Sequence, residues 1–174
     1  TTHTTMYFPN GKKMGEGKYI SEKKDSLWKY YNQDGVFISD EFFVDGKKNG
    51  KFKTYFPSGA VAEESTWDKD VQVGTWKQYF ETGQVKTEGN YTNGFLDGKV
   101  TFYYTDGKKS GEGNYQHAVK HGNWIIYKRD GSVNKVEQYK LGRLQGEEPF
   151  IKNEEIEEMK KNNPEQPPQQ ADPQ

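Results

Sequence analysis

Apolar and polar residues alternate with a period of two along short runs, and the runs return every 24 residues. Trp28, Phe52, Trp76, Val100 and Trp124 fall on one register, and Tyr7, Tyr31, Tyr55, Tyr79, Tyr103 and Tyr127 on another. A third holds Tyr19, Phe43, Trp67, Tyr91, Tyr115 and Tyr139. Glycine marks two more: Gly11, Gly35, Gly59, Gly83, Gly107 and Gly131, then Gly50, Gly74, Gly98, Gly122 and Gly146, with Ser26 standing in at the front. Columns that stay in step through six copies define a repeat array. Each copy predicts a strand, a tight turn, a returning strand and a polar connector.

The turn dipeptides are Asn10-Gly11, Asp34-Gly35, Ser58-Gly59, Thr82-Gly83, Asp106-Gly107 and Asp130-Gly131. Asn-Gly and Asp-Gly favour a two-residue type I′ turn, with positive φ at both central positions. A two-residue Ser58-Gly59 loop puts Pro57 opposite Ala60 and, stepping outward, Lys53 opposite Glu64. By the same count Lys29 faces Asp40, Lys77 faces Glu88, and in the last copy Ile125 faces Val136. Opposite charges across a sheet contribute roughly 0.2–1 kcal/mol per pair. Gly50, Gly74, Gly98 and Gly122 come to face Trp67, Tyr91, Tyr115 and Tyr139, the arrangement in which a ring covers a bare glycine. Alternation then assigns the faces. One collects Trp28, Phe52, Trp76 and Trp124 with Phe56, Phe80, Tyr104, Phe37, Val61 and Val85. The other carries the tyrosines Tyr31, Tyr55, Tyr79, Tyr103 and Tyr127, flanked by Lys/Glu rungs and wet.

The expected fold is all-β: an elongated single-layer antiparallel sheet of six repeated β-hairpins, about 58 Å long at ~4.8 Å per strand. Its stability comes from neighbour packing on neighbour. Residues 1–5 read as a polar lead-in, 6–150 as the array, and 151–174 as a short helix followed by a disordered Pro/Gln-rich tail. Glu147, Glu148 and Pro149 are expected to interrupt a seventh copy and keep that edge from pairing.

Composition changes the picture in one respect. Hydrophobic residues are 30% and aromatic residues 15% of the chain, so rings supply half of the apolar stock. Broad rings can cover a sheet one layer deep where a thick aliphatic core is lacking. A formal charge of -1 gives no net attraction for nucleic acid. No apolar run approaches the ~20 residues of a membrane span, and with no cysteine there is neither disulfide nor thiolate metal site. The chain opens at Thr1, and two readings of that start stay open: a signal or lipoprotein leader removed from ahead of it, or a simple trimming of the chain; membrane contact is expected only through such a removed lipid anchor.

Candidate chemistry is sparse. His117 and His121 are four apart, a metal-pair spacing on a helix, but they fall in a connector, and no metal or other cofactor is expected. Glu16, Asp40, Glu64, Glu88 and Glu112 recur once per copy, roughly 10 Å apart. Catalytic carboxyls need surroundings that push their pKa values apart, which a repeated column does not supply. Gly15-Glu16-Gly17 and Gly111-Glu112-Gly113 lie mid-strand and are expected to sit beneath rings. No enzyme is expected. The candidate interaction surface is the aromatic face, Trp28, Phe52, Phe56, Trp76, Phe80, Tyr104 and Trp124. Two readings of it stay open: the rings are the fold's core, or part of the face is a groove for a protein segment or a glycan.

The unit resembles the MORN repeat, whose pattern is a glycine, an aromatic, a Tyr-rich strand, a turn glycine and a returning strand ending near Asn-Gly. It is similar above all to the bacterial MORN-variant units, through connectors such as Tyr91-Thr92-Asn93-Gly94. The likeness covers residues 6–146 and departs at DKDVQVG (68–74) and QHAVKHG (116–122), which lack Asn-Gly. The resemblance implies a non-catalytic scaffold or dimerisation module. The expected function is binding of another protein at a bacterial cell envelope, periplasmic or surface-exposed, with the cytoplasm as the alternative and self-association allowed. An antitoxin-type inhibitor of a partner toxin and a glycan or cell-wall binding module are the other readings.

Overall fold

The computed structural model describes residues 1–148 and residue 158. Residues 1–148 form one open antiparallel sheet. Six hairpins pair β1 (Thr2–Tyr7) with β2 (Lys13–Ile20), β3 (Lys23–Tyr31) with β4 (Phe37–Val44), and β6 (Gly50–Tyr55) with β7 (Val61–Asp68). β9 (Gly74–Tyr79) pairs with β10 (Val85–Thr92), β12 (Gly98–Tyr103) with β13 (Lys109–Gln116), and β14 (Val119–Tyr127) with β15 (Val133–Lys140). β16 (Arg143–Glu148) ends the order. Three two-residue strands, β5 (Lys47–Lys48), β8 (Val71–Gln72) and β11 (Phe95–Leu96), fold back on β4, β7 and β10. Residues 2–5, read as a lead-in, are strand. β16 also runs on through Glu147 and Glu148, opposite Glu137 and Val136, where an interruption was expected. The ladder needs only backbone groups, and glutamate has both. The helix expected over 154–161 and the tail lie outside the described residues, Glu158 apart.

The chain alternates two kinds of tight turn, and they are not where the dipeptides place them. At the hairpin dipeptides Asn10-Gly11, Asp34-Gly35, Asp106-Gly107 and Asp130-Gly131 only the glycine is left-handed, with φ of 80° at Gly11 and 83° at Gly107. Gly59 N donates to Phe56 O at 2.8 Å and Phe56 N to Ala60 O at 2.8 Å, which makes Pro57-Ser58-Gly59 a three-residue loop. This is the type I turn with a glycine bulge; Pro9 and Pro57 suit its first central position. Asn10, Asp106 and Asp130 suit the next position, where each carboxyl or amide oxygen accepts the N–H two residues on. Pairs of positive φ occur instead in the connectors, at Ser21-Glu22, Asp45-Gly46, Lys69-Asp70, Asn93-Gly94, His117-Ala118 and Leu141-Gly142. The Asn-Gly deviations at Lys69-Asp70 and His117-Ala118 therefore keep the type I′ geometry, at the cost of left-handed residues that carry a Cβ. Ala118→Gly is expected to stabilise the chain by about 1 kcal/mol, read as a rise in the urea midpoint.

The three-residue loop shifts the register by one, and a β-bulge shifts it back. Tyr55 pairs with Val61 but Thr54 with Glu63, leaving Ala62 extra, so Lys53 still meets Glu64 as expected. Met14, Ile38, Lys86, Ser110 and Asn134 are the extra residues of the other hairpins. The bulge corrects the face of three residues. Phe37, Val61 and Val85 lie opposite Tyr31, Tyr55 and Tyr79, on the tyrosine face, and the Phe37 ring stands 5.6 Å from that of Tyr31 and 4.7 Å from that of Tyr55.

The glycine column also has a different cause from the one the sequence suggests. Gly50, Gly74, Gly98 and Gly122 do face Trp67, Tyr91, Tyr115 and Tyr139. Yet a Cβ on Gly98 or Gly122 would meet nothing within 4 Å; their φ of 81° and 69° is what calls for glycine. The glycines that lie beneath rings are Gly17 and Gly113, under Trp28 and Trp124.

Candidate interaction surfaces

On the tryptophan face, side chains from the connectors close over the rings. Lys24 Nζ lies 4.8 Å from the Trp28 ring centroid, Lys48 Nζ 4.7 Å from that of Trp67, and Lys120 Nζ 4.4 Å from that of Trp124. These lysines share a 24-residue column with Gln72, Leu96 and Leu144. Their alkyl stems cover apolar surface while the ammonium sits over an electron-rich ring. Trp28 Nε1 donates to Lys18 O at 3.1 Å, and Trp124 Nε1 repeats this with Asn114 O at 3.2 Å. Tyr19 and Tyr115 present edges to the two indoles.

Most of the proposed aromatic surface is thereby covered. Trp28, Phe52 and Trp124 are 0%, 6% and 2% exposed and form core with Phe43 and Val100. Trp76 is half-buried, edge-on to Tyr91. Phe56, Phe80 and Tyr104 begin the hairpin turns and are half-buried. Tyr104 Oη donates to Tyr127 O at 2.7 Å under the Arg129 guanidinium, and Lys86 stands 6.0 Å from the Phe80 ring.

The tyrosine face is a ladder between units. Tyr31 Oη donates to Glu16 at 2.9 Å, Tyr55 to Asp40 at 2.8 Å, Tyr79 to Glu64 at 3.1 Å, Tyr127 to Glu112 at 2.6 Å, and Tyr103 to Glu88 likewise. Each phenol therefore reaches the acid fifteen residues back, in the preceding unit. Lysines complete the sites: Lys53 with Glu64 at 3.0 Å, Lys77 with Glu88 at 3.4 Å, Lys99 and Lys109 with Glu112 at 3.2 and 3.1 Å. This face is not uniformly wet. Towards the C-terminal units Glu112, Ile125, Tyr127 and Val136 are buried, the last at 0% exposure, where Ile125 and Val136 replace the usual lysine and acid. His117 is the first residue of a connector turn, its ring 6.4 Å from that of Phe95, and His121 lies opposite Asn114.

The ladder fixes the direction of its titrations. A hydrogen bond from Lys13, then one from Tyr31, holds Glu16 below its ordinary value. Burial raises Glu64 and Glu112, but the hydrogen bonds from Lys53 and Tyr79, and from Tyr127 and Lys109, outweigh it and both end low. Burial, then the bond to Asp40, pushes Tyr55 up to about 12; Tyr31, Tyr79 and Tyr103 are raised with burial as the first cause. A carboxylate with a lowered folded pKa contributes stability above its unfolded pKa and loses it as pH falls through the folded value. A phenol with a raised folded pKa contributes below its unfolded pKa and loses it as pH rises through the folded one. Stability measured by urea titration is therefore expected to be flat between about pH 5 and 10 and to fall on both sides. Tyr55→Phe would soften the alkaline limb.

The geometry defines a β-hairpin repeat protein in which each unit is bonded to the next through a tyrosine and a connector turn, and at Trp28 and Trp124 through an indole as well. Within it, residues 48–69, 72–93 and 96–117 each match the MORN repeat variant family. Each matched segment opens on or beside a short connector strand and includes one hairpin. A comparison with curated proteins finds no match.

Sequence reasoning missed two features. One is the ring-covering column headed by Lys24, although its 24-residue spacing was readable. The other is a set of exposed apolar residues on the tyrosine face of the first two units: Ile20, Leu27, Phe42 and Val44, 38–46% exposed. Their signal was present as departures from the repeat, which the search for constant columns passes over.

Proposed function

We propose that the chain is a MORN-type repeat scaffold throughout, binding another protein without catalysis. One observation carries this: the repeating acids and phenols are spent on holding neighbouring units together. Each acid of the column is met by a tyrosine, so what the fold presents is a stiff extended sheet. A bacterial envelope setting and an antitoxin-like role rest on family likeness and belong to the same proposal. A glycan stacked on the tryptophans is disfavoured, because Trp28 and Trp124 are covered. The test is chemical cross-linking of the tagged full chain in its native cells, followed by mass spectrometry. One specific partner is expected in stoichiometric yield; recovery of the bare monomer alone would remove the proposal.

A further inference from the structure

We infer that the tyrosine face of the first two units is a docking site for an acidic segment of a partner protein that inserts one bulky apolar side chain. This rests on the partner-binding reading above and names where and what it binds. Leu27 and Phe42 are direct cross-strand neighbours, 45% and 39% exposed. With Asp40, Gly50, Lys51 and Lys53 they line a shallow depression of about 410 Å³. Gly50 helps to keep it open, since a Cβ there would come within 3.8 Å of Phe42. Val44 continues the apolar strip two residues along the same strand face, 46% exposed, and Ile20 holds the equivalent place one unit earlier, 38% exposed.

Nothing in the repeat requires these residues to be apolar. The Phe42 position is Thr66, Asn90, Asn114 and Gln138 in later units; the Leu27 position is Lys51, Thr75, Lys99 and Asn123. Those units form the same hairpins with polar side chains there, so the fold does not need Leu27 or Phe42. Val71, Phe95 and Val119 are exposed as well, but they recur in one 24-residue column, that of Lys23 and Lys47; Leu27 and Phe42 break theirs, and an apolar pair of that kind rimmed by charge marks a contact. The charge says with what. Lys18, Lys47 and Lys51 border the strip and form no ion pair among the described residues, while Asp40 is engaged by Tyr55 and Asp25 by Ser26 Oγ. Carboxylates flanking an apolar anchor complement that rim, and the anchor fills the depression. A bilayer surface fits less well, because Leu27 and Phe42 wall a hollow instead of projecting from a ridge.

The experiment measures fluorescence anisotropy of short labelled peptides with the full chain. One peptide places a phenylalanine among aspartates and glutamates; a second replaces that phenylalanine with serine; a third replaces the acids with lysine. The first is expected to bind at least about tenfold more tightly than either control, with affinity falling as salt rises. Phe42→Thr and Leu27→Thr, which install side chains already present at those positions as Thr66 in the third unit and Thr75 in the fourth, are expected to weaken it about tenfold without moving the urea midpoint. Equal binding of the three peptides, or indifference to Phe42→Thr, overturns the inference. So does Phe42-dependent co-sedimentation with phosphatidylserine vesicles in place of peptide binding, which would assign the patch to a lipid surface. If wild type and Phe42→Thr cross-link the same cellular partner equally, the scaffold reading stands and the patch assignment falls.

Discussion

Gly113→Ala is expected to destabilise the protein by about 3 kcal/mol, roughly 6–12 °C in Tm. A Cβ on Gly113 would lie 2.2 Å from Trp124 Cδ2 and 2.4 Å from Cε2. Those atoms are the middle of the indole, so the ring as a whole must move. It cannot do so cheaply: Trp124 is 2% exposed, its Nε1 is bonded to Asn114 O, and Phe102, Tyr115 and Tyr139 surround it. Gly17 stands in the same relation to Trp28, with a Cβ contact of 2.3 Å. The cause can be isolated by adding Trp124→Leu to Gly113→Ala. A smaller side chain relieves the clash, so the double variant should lose less than the two single losses added together. Strict additivity in urea unfolding would show that glycine is needed there for some other reason.

The second large effect is expected from Glu112→Ala, also about 3 kcal/mol. Glu112 is 6% exposed and receives Tyr127 Oη, Lys99 Nζ and Lys109 Nζ. Truncation leaves a buried phenol and two lysines without their common acceptor. The same truncation at Glu16, which is more exposed and paired with Lys13, should cost under about 1 kcal/mol. Glu112→Gln, which keeps an acceptor for Tyr127 but removes the charge, should fall between. Hydrogen exchange locates the damage: protection should be lost around β12 to β15 and kept in β1 to β4. A uniform loss along the chain would mean that the units do not couple only to their neighbours.

The array was legible in the sequence because period and alternation are properties of residue type at fixed spacing. The Lys53–Glu64 rung followed from counting outward from a turn, and the count was right although the turn was not. Two errors of one residue cancelled: the loop at Ser58-Gly59 is one residue longer than assumed, and Ala62 is bulged out. What did not cancel lay between them, where Val61 faces opposite to its assignment. The dipeptide rule failed for a physical reason. Asp-Gly serves a type I turn with a glycine bulge as well as a type I′ turn, and the residue before it does not tell them apart: Gln33, Glu81, Thr105 and Arg129 stand in the same three-residue loop as Pro9 and Pro57. Left-handed pairs such as His117-Ala118 carry no compositional mark at all. Of the aromatic surface, sequence supplied which rings share a face but not that Lys24, Lys48 and Lys120 cover them. That depends on where a connector folds back.

Those connector turns hydrogen-bond one another in series. Gly46 N donates to Lys24 O, Asp70 N to Lys48 O, Gly94 N to Gln72 O, Ala118 N to Leu96 O and Gly142 N to Lys120 O, at 2.8–3.0 Å. Every such link spans 22 residues, and every tyrosine link 15, so none reaches past an adjacent copy. Excising residues 74–97 would therefore bring Tyr103 to Glu64 and Ala118 to Gln72, so that both kinds of link are remade. Such a chain can lengthen or shorten in evolution by whole blocks, as a zip fastener loses a tooth pair and still closes, while a cut of any other length would jam it.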